Sequence, residues 1–162
     1  MTDLVKQLLV NQFEASLAML KQCLEQCPLE HYEGKIANDT FRQISYHTLF
    51  WSDYYCLPRE SAFVVRDWHK RGGDEFLPTP SLGLSKDDAL EYLSFCRQRA
   101  IDAIAAETRE SFEGPSGFSR WPFSRAELYV HSIRHTQHHT GQLSAYLRRI
   151  GLGANWISSG WK

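Results

Sequence analysis

Apolar residues recur every three or four positions along four stretches of this 162-residue chain, a spacing that predicts amphipathic helices. The predicted helices cover residues 2–27, 40–57, 86–107 and 124–151. Stretches between them are rich in turn-forming residues, and no internal repeat or low-complexity segment interrupts the pattern. The pattern therefore predicts an all-α fold in which one domain spans residues 1–162.

Helix-end signals mark the fourth predicted helix clearly and the second one partly. Ser124 followed three residues later by Glu127 forms a capping-box sequence, and Gly151 fits the left-handed position that closes many helices. Thr40 and Gln43 give the second helix the same kind of start. We therefore expect these two helices to begin at or next to Thr40 and Ser124.

Residues 58–84 have no long helical period and include Pro58, Pro78 and Pro80. A connection of this length is uncommon in a compact domain unless it has a task. One such task is to let two consecutive helices of a bundle run in the same direction. The sequence thus predicts an up-down-down-up four-helix bundle with a long crossover between the second and third helices.

The fourth predicted helix has an unusual face. At about 100° per residue, four histidines fall in one sector together with apolar residues such as Leu128, so we expect that sector to face the protein interior. These histidines are His131, His135, His138 and His139. Thr140 and Ser144 point elsewhere, and their small polar side chains lead us to expect them in solvent.

Composition and charge exclude several classes of function. The formal net charge is -1 and the basic residues are scattered, which argues against a surface for nucleic acid or for an acidic membrane. No apolar run approaches the ~18 residues of a membrane span, and the first residues lack the layout of a signal peptide. We therefore expect a cytoplasmic protein with reduced cysteines.

A metal site is the chemistry that the histidines favour. His135 and His139 are four residues apart, so their Cβ atoms lie ~6 Å apart on one helix face. His47, on the second predicted helix, can supply a third nitrogen. Three neutral imidazoles leave coordination positions open, as in catalytic sites, and suit zinc, nickel, copper or ferrous iron. A bound ion of this kind can lower the pKa of water to ~7.

Other residues are candidates for supporting roles. His131 is a possible fourth ligand or a hydrogen-bond donor behind the ligands. His138 and Tyr54 are candidate catalytic groups for proton transfer, as are His131 and Tyr146. The sequence from His135 to His139 is not the H-E-x-x-H motif of metalloproteases, and no acidic residue follows Leu128. A carboxylate base would therefore have to come from another helix or from a loop.

The segments YHTLFW around His47, HTQHHTGQL from His135, and the following LRRIG resemble the DinB/YfiT-like superfamily of bacterial metal-binding bundles. The resemblance extends over nearly the whole chain. It implies that His47, His135 and His139 bind the metal. It also implies an up-down-down-up bundle, often a homodimer, with nickel or zinc in a pocket open to solvent.

Three hypotheses of function follow from the metal site and the resemblance. One is a metal-dependent hydrolase that acts on a small molecule. Another is a metal-dependent S-transferase or isomerase that uses a low-molecular-weight thiol, which needs no protein carboxylate. The last is a stress-related protein that binds a metal or a ligand without catalysis. Family resemblance alone does not choose among them, because one fold hosts many activities.

Overall fold

The computed structural model describes residues 2–77 and 81–161, and most of them are helical. The α-helices of this part of the chain are α1 (Thr2–Gln26), α2 (Phe41–Tyr55), α3 (Asp67–Gly72), α4 (Lys86–Ala106), α5 (Arg109–Glu113) and α6 (Arg125–Arg149). Two short antiparallel strands, β1 (Lys35–Ile36) and β2 (Asp39–Thr40), precede α2, and 3-10 turns cover Leu29–His31 and Glu60–Ala62. The helical content confirms the predicted all-α class.

The four long helices lie where the sequence predicts them, within a few residues at each end. The two short helices were not predicted. They lie in the connections on either side of α4, and with six and five residues they are too short to show a helical period. Pro78 and Pro80 of the predicted crossover lie outside the described residues.

The predicted helix ends have clear physical causes. Thr40 and Gln43 form a complete capping box at the start of α2. Ser124 accepts a hydrogen bond from the Glu127 backbone N–H at the start of α6. Gly151 has a φ of +79°, and the next backbone N–H reaches back to the Leu147 carbonyl at 2.9 Å. This is the hydrogen bond that ends a helix in a Schellman motif.

The long helices pack around one continuous apolar core. Contacts between α1 and α4 pair the start of one helix with the end of the other, so these two helices are antiparallel. The contacts of α6 show that it runs parallel to α1 and antiparallel to α2. The contacts that fix these directions are Lys6–Ala105, Glu25–Lys86, Met19–Gln137, Cys23–Thr140, Ser52–Thr136 and Tyr55–His131. They favour the up-down-down-up arrangement, which stays a prediction.

The buried face of α6 differs from the predicted one. Thr140 and Ser144 are buried, so the expectation that they face solvent is wrong. They continue a stripe of small hydroxyl side chains on α6, in which the Thr136 hydroxyl oxygen lies 2.8 Å from that of Ser52 on α2. Small side chains let two helices approach closely, and the Thr136 hydroxyl also donates to the Ser132 carbonyl of its own helix at 2.9 Å. The stripe forms the seam between α2 and α6. The histidines of α6 therefore lie beside this seam and not at its centre.

A buried polar network holds the crossover helix α3 against the core. His69 of α3 lies with Nε2 2.9 Å from the Tyr92 hydroxyl, which donates to the Asp53 carboxylate at 3.0 Å. Arg99 forms an ion pair with the same carboxylate at 2.7 Å. Because the buried charge of Asp53 is paired and hydrogen-bonded, the network ties α2, α3 and α4 together. It thereby fixes the start of the segment that follows α3.

Among the helices of residues 2–77 and 81–161, none combines the length and the apolar composition that crossing a membrane requires.

Candidate metal centre

Three histidines from two helices converge beside the α2–α6 seam. The ring centroid of His47 on α2 lies 5.2 Å from that of His135 and 4.8 Å from that of His139 on α6. One potential ligand atom from each residue lies within 4.8 Å of those of the other two. Antiparallel packing of α2 and α6 produces this convergence, since it sets His47 opposite the His135–His139 turn.

Hydrogen bonds orient two of the three imidazoles. His47 Nδ1 lies 2.6 Å from Oε2 of Glu75, and His139 Nδ1 lies 2.8 Å from Oε1 of Gln142. A carboxylate and an amide oxygen only accept hydrogen bonds, so each Nδ1 carries the proton. Both Nε2 atoms are therefore left with lone pairs. A ligating histidine typically has such an oxygen partner behind it, which fixes the ring and raises its basicity.

The environment keeps His135 and His139 uncharged. Burial, together with the neighbouring histidines, lowers the pKa of His135 to about 3. Burial also lowers the pKa of His139. Metal ligation requires the neutral imidazole, so no proton has to be displaced from a charged ring near neutral pH.

The donor set fits a divalent ion. Nε2 of His135 and Nε2 of His139 are 3.2 Å apart. Two nitrogens that share one ion at about 2.0–2.1 Å with a roughly tetrahedral angle are separated by nearly that distance. Nδ1 of His135 is buried and has no partner among the described residues, so the Nε2 contact is the polar interaction that defines this ring. A proton between the two nitrogens, or a cation, satisfies both.

His47 and His139 form part of one wall of a cleft with a volume of about 490 Å³. Other walls come from the β1–β2 hairpin, from the start of α2 and from the segment after α3. The lining includes Ile36, Asp39, Gln43, Ile44, Glu75, Leu77 and Gln142. A volume of this size accommodates a small molecule next to the histidines.

Glu75 is the site residue that the sequence did not reveal. It lies in the crossover after α3, and only 8% of its side chain is exposed. Periodicity gives no signal in such a segment, because the position of a loop residue depends on tertiary contacts. The one signal was indirect: α6 has no acidic residue near its histidines, so a carboxylate had to come from elsewhere.

The other candidates from the sequence lie around the centre. The ring of His131 packs against Tyr55 and Phe123, with its centroid 6.4 Å from that of His135. His138 is exposed, and its ring centroid lies 4.9 Å from that of His139. His131 is thus packed among aromatic rings, whereas His138 lies in solvent next to His139. Their predicted roles, as supporting ligand and as proton-transfer group, stay predictions.

Tyr54 is not brought to the three histidines. It is buried against Phe50, Phe63 and Phe76, seven residues from His47 on the same helix, which is ~10 Å along the axis. Burial raises the pKa of its hydroxyl. The catalytic role of Tyr54 stays a prediction.

Replacement of Glu75 by glutamine tests its contact with His47. We expect metal affinity to fall about 10- to 100-fold, the usual effect of removing the partner behind a ligating histidine. Titration against a chelating competitor measures it. Replacing the exposed Glu33, which pairs with Arg42 on the surface, gives the matched control. Equal affinities for the wild type and the Glu75→Gln variant would remove Glu75 from the site.

The sequence model of the DinB superfamily matches residues 9–143 of the chain. The matched span contains His47, His135 and His139, and it confirms the resemblance predicted from the sequence. Searches of curated proteins and of solved structures gave no match.

Proposed function

The chain belongs to the DinB superfamily, and from this premise we propose that it is a divalent-metal-binding hydrolase of a small molecule. The ion, nickel or zinc, is held by His47, His135 and His139. The four long helices carry these ligands as an up-down-down-up bundle.

One observation supports the proposal most: three imidazoles from two helices converge, and two of them, those of His47 and His139, line an open cleft. Three neutral ligands leave the charge of the ion undiminished and leave positions for water and substrate. Bound there, a divalent ion supplies Lewis-acid activation of water and of a polar substrate group.

Glu75 supplies the carboxylate that α6 does not carry near its histidines. Its carboxylate lines the cleft and lies next to His47, so it is the nearest candidate to accept a proton from water during hydrolysis. Because only 8% of the Glu75 side chain is exposed, its carboxylate lies against the site and not in open solvent. A thiol-dependent transferase would need no such group, so the presence of Glu75 favours hydrolysis over thiol transfer.

The remaining cleft residues bind and orient the substrate. The side-chain amide N–H of Gln142, whose oxygen accepts from His139, can donate to a substrate carbonyl, while Ile44 and Leu77 offer apolar contact. A few polar groups on a largely apolar wall are typical of small-molecule sites. The cleft therefore suits a compact substrate with one hydrolysable polar group and one apolar side.

Turnover of a panel of small amides, esters and lactones by the metal-loaded protein tests the proposal. We expect activity that a chelator removes and that one equivalent of metal restores. Glu75→Gln should lower kcat more than it changes KM, because proton transfer belongs to the chemical step. Bound metal without turnover on this panel would contradict hydrolysis. Turnover that appears only with an added thiol would instead establish the transferase.

A further inference from the structure

The cleft beside the three histidines has a one-sided charge. Two carboxylates line it, those of Asp39 and Glu75, and the other lining residues that the structure describes carry no cationic group apart from the histidines. Residues 78–80, next to the cleft in sequence, are Pro-Thr-Pro and bring no ionisable side chain. An anionic substrate would find no arginine or lysine to pair with on these walls.

The nearest basic residues are directed away from the cleft or engaged elsewhere. Lys35 precedes Ile36 on strand β1, and successive strand residues point to opposite faces. Because Ile36 lines the cleft, Lys35 points away from it. Arg42 donates to Glu33 at 2.8 Å and to the Gly83 carbonyl at 3.1 Å. Neither residue is placed to neutralise the cleft carboxylates.

The two carboxylates differ in what they bind. Glu75 is nearly buried and bonds to His47, so its charge is committed to the metal centre. Asp39 is exposed at the first position of β2 and has no ion pair within the described part of the chain. Asp39 lines the same cleft as His47 and His139. Asp39 therefore lies within electrostatic reach of the metal centre and has its charge free.

We propose, resting on the proposed function, that the substrate is a small cation. Its amine or guanidinium group lies at Asp39, and its hydrolysable group points to the histidines. The Glu75 carboxylate is bonded to His47, which leaves Asp39 to select among substrates. Asp39 is thus a specificity-determining residue, and the β1–β2 hairpin places it.

A series of para-substituted pyridines on the cobalt-loaded protein tests this inference. The pyridine nitrogen binds the ion, and a para substituent cannot reach back to the same ion. The probes are 4-(aminomethyl)pyridine, 4-(hydroxymethyl)pyridine and 4-pyridylacetate, which are cationic, neutral and anionic. Changes in the visible spectrum of cobalt give each dissociation constant.

We expect the cationic probe to bind about tenfold more tightly than the anionic one at low salt, since Asp39 attracts one and repels the other. Asp39→Asn should bring the ratio of the two dissociation constants close to the ratio that the same pyridines show for cobalt in water. Asp39→Lys should invert the preference. The matched control, Asp102→Asn, removes an equally exposed carboxylate on α4 and should leave the ratio unchanged. High salt should shrink the wild-type preference.

The outcomes separate the two proposals. Cobalt that binds through the histidines but shows no charge preference, or a preference that survives Asp39→Asn, overturns the role of Asp39 and leaves the metal centre intact. Failure to bind cobalt, or binding that survives His135→Ala, overturns the metal centre and the substrate class with it.

Discussion

Replacement of His135 by alanine should reduce metal affinity by more than about 100-fold. The loss of a direct ligand must exceed the 10- to 100-fold effect that is usual for a residue behind a ligand. His135 is central because its Nε2 lies 3.2 Å from that of His139 and its ring centroid lies 5.2 Å from that of His47. Elemental analysis of protein purified without a histidine tag, followed by competition with a chelator, measures the change.

His138→Ala is the matched control, since His138 lies on the same helix but is exposed and lies outside the three-histidine cluster. Its metal content should equal that of the wild type. Helical content by circular dichroism should be the same for both variants, which separates loss of a ligand from loss of the fold. Full metal content in the His135→Ala variant would show that the ion is bound elsewhere.

Replacement of Glu107 by alanine should lower the free energy of unfolding by about 3–5 kcal/mol, the usual cost of leaving a buried charge unpaired. Glu107 pairs with Arg125 at 2.8 Å, and their side chains are only 11% and 5% exposed. Hydrogen bonds from Arg125 to the Tyr55 and Cys56 carbonyls join the end of α2 to the start of α6. Urea unfolding curves give the change in free energy.

The surface pair Arg109–Glu113 provides the control for Glu107. Its side chains are 80% and 67% exposed and solvent screens the pair, so Glu113→Ala should cost far less than Glu107→Ala. Equal losses for the Glu107 and Glu113 variants would contradict the account of the buried pair.

The stabilisation by Glu107 should also depend on pH. Burial alone would raise the pKa of Glu107, but hydrogen bonds from Ser111, Arg125 and Tyr129 outweigh it and lower the pKa below its ordinary 4.5. A carboxyl with a lowered folded-state pKa stabilises the protein above the unfolded-state pKa. This stabilisation is lost as pH falls through the folded-state value. The difference between the wild type and Glu107→Ala should therefore be constant at neutral pH and shrink below pH 4.5.

Local signals explain why much of the site could be predicted. The capping residues Thr40 and Ser124 set the starts of α2 and α6, and the spacing of His135 and His139 places both on one helix face. His47 could be named because a metal centre needs a ligand from a second element and this histidine lies on the second amphipathic helix. Each inference needs only helix geometry and residue chemistry.

The parts that could not be predicted depend on tertiary contacts. Glu75 is held in place because its neighbour Phe76 packs on Phe50 and Trp51, and a loop sequence does not encode that contact. Thr140 and Ser144 were predicted to face solvent although they are buried, since the sequence does not show that another helix lies against them.

Crystallography at the absorption edge of the bound metal tests the convergence of the three histidines most directly. The anomalous difference map of the untagged protein should show a peak within about 2.0–2.3 Å of one ring nitrogen each from His47, His135 and His139. No peak there, or a fully occupied ion held by other side chains, would contradict the metal centre and the function built on it.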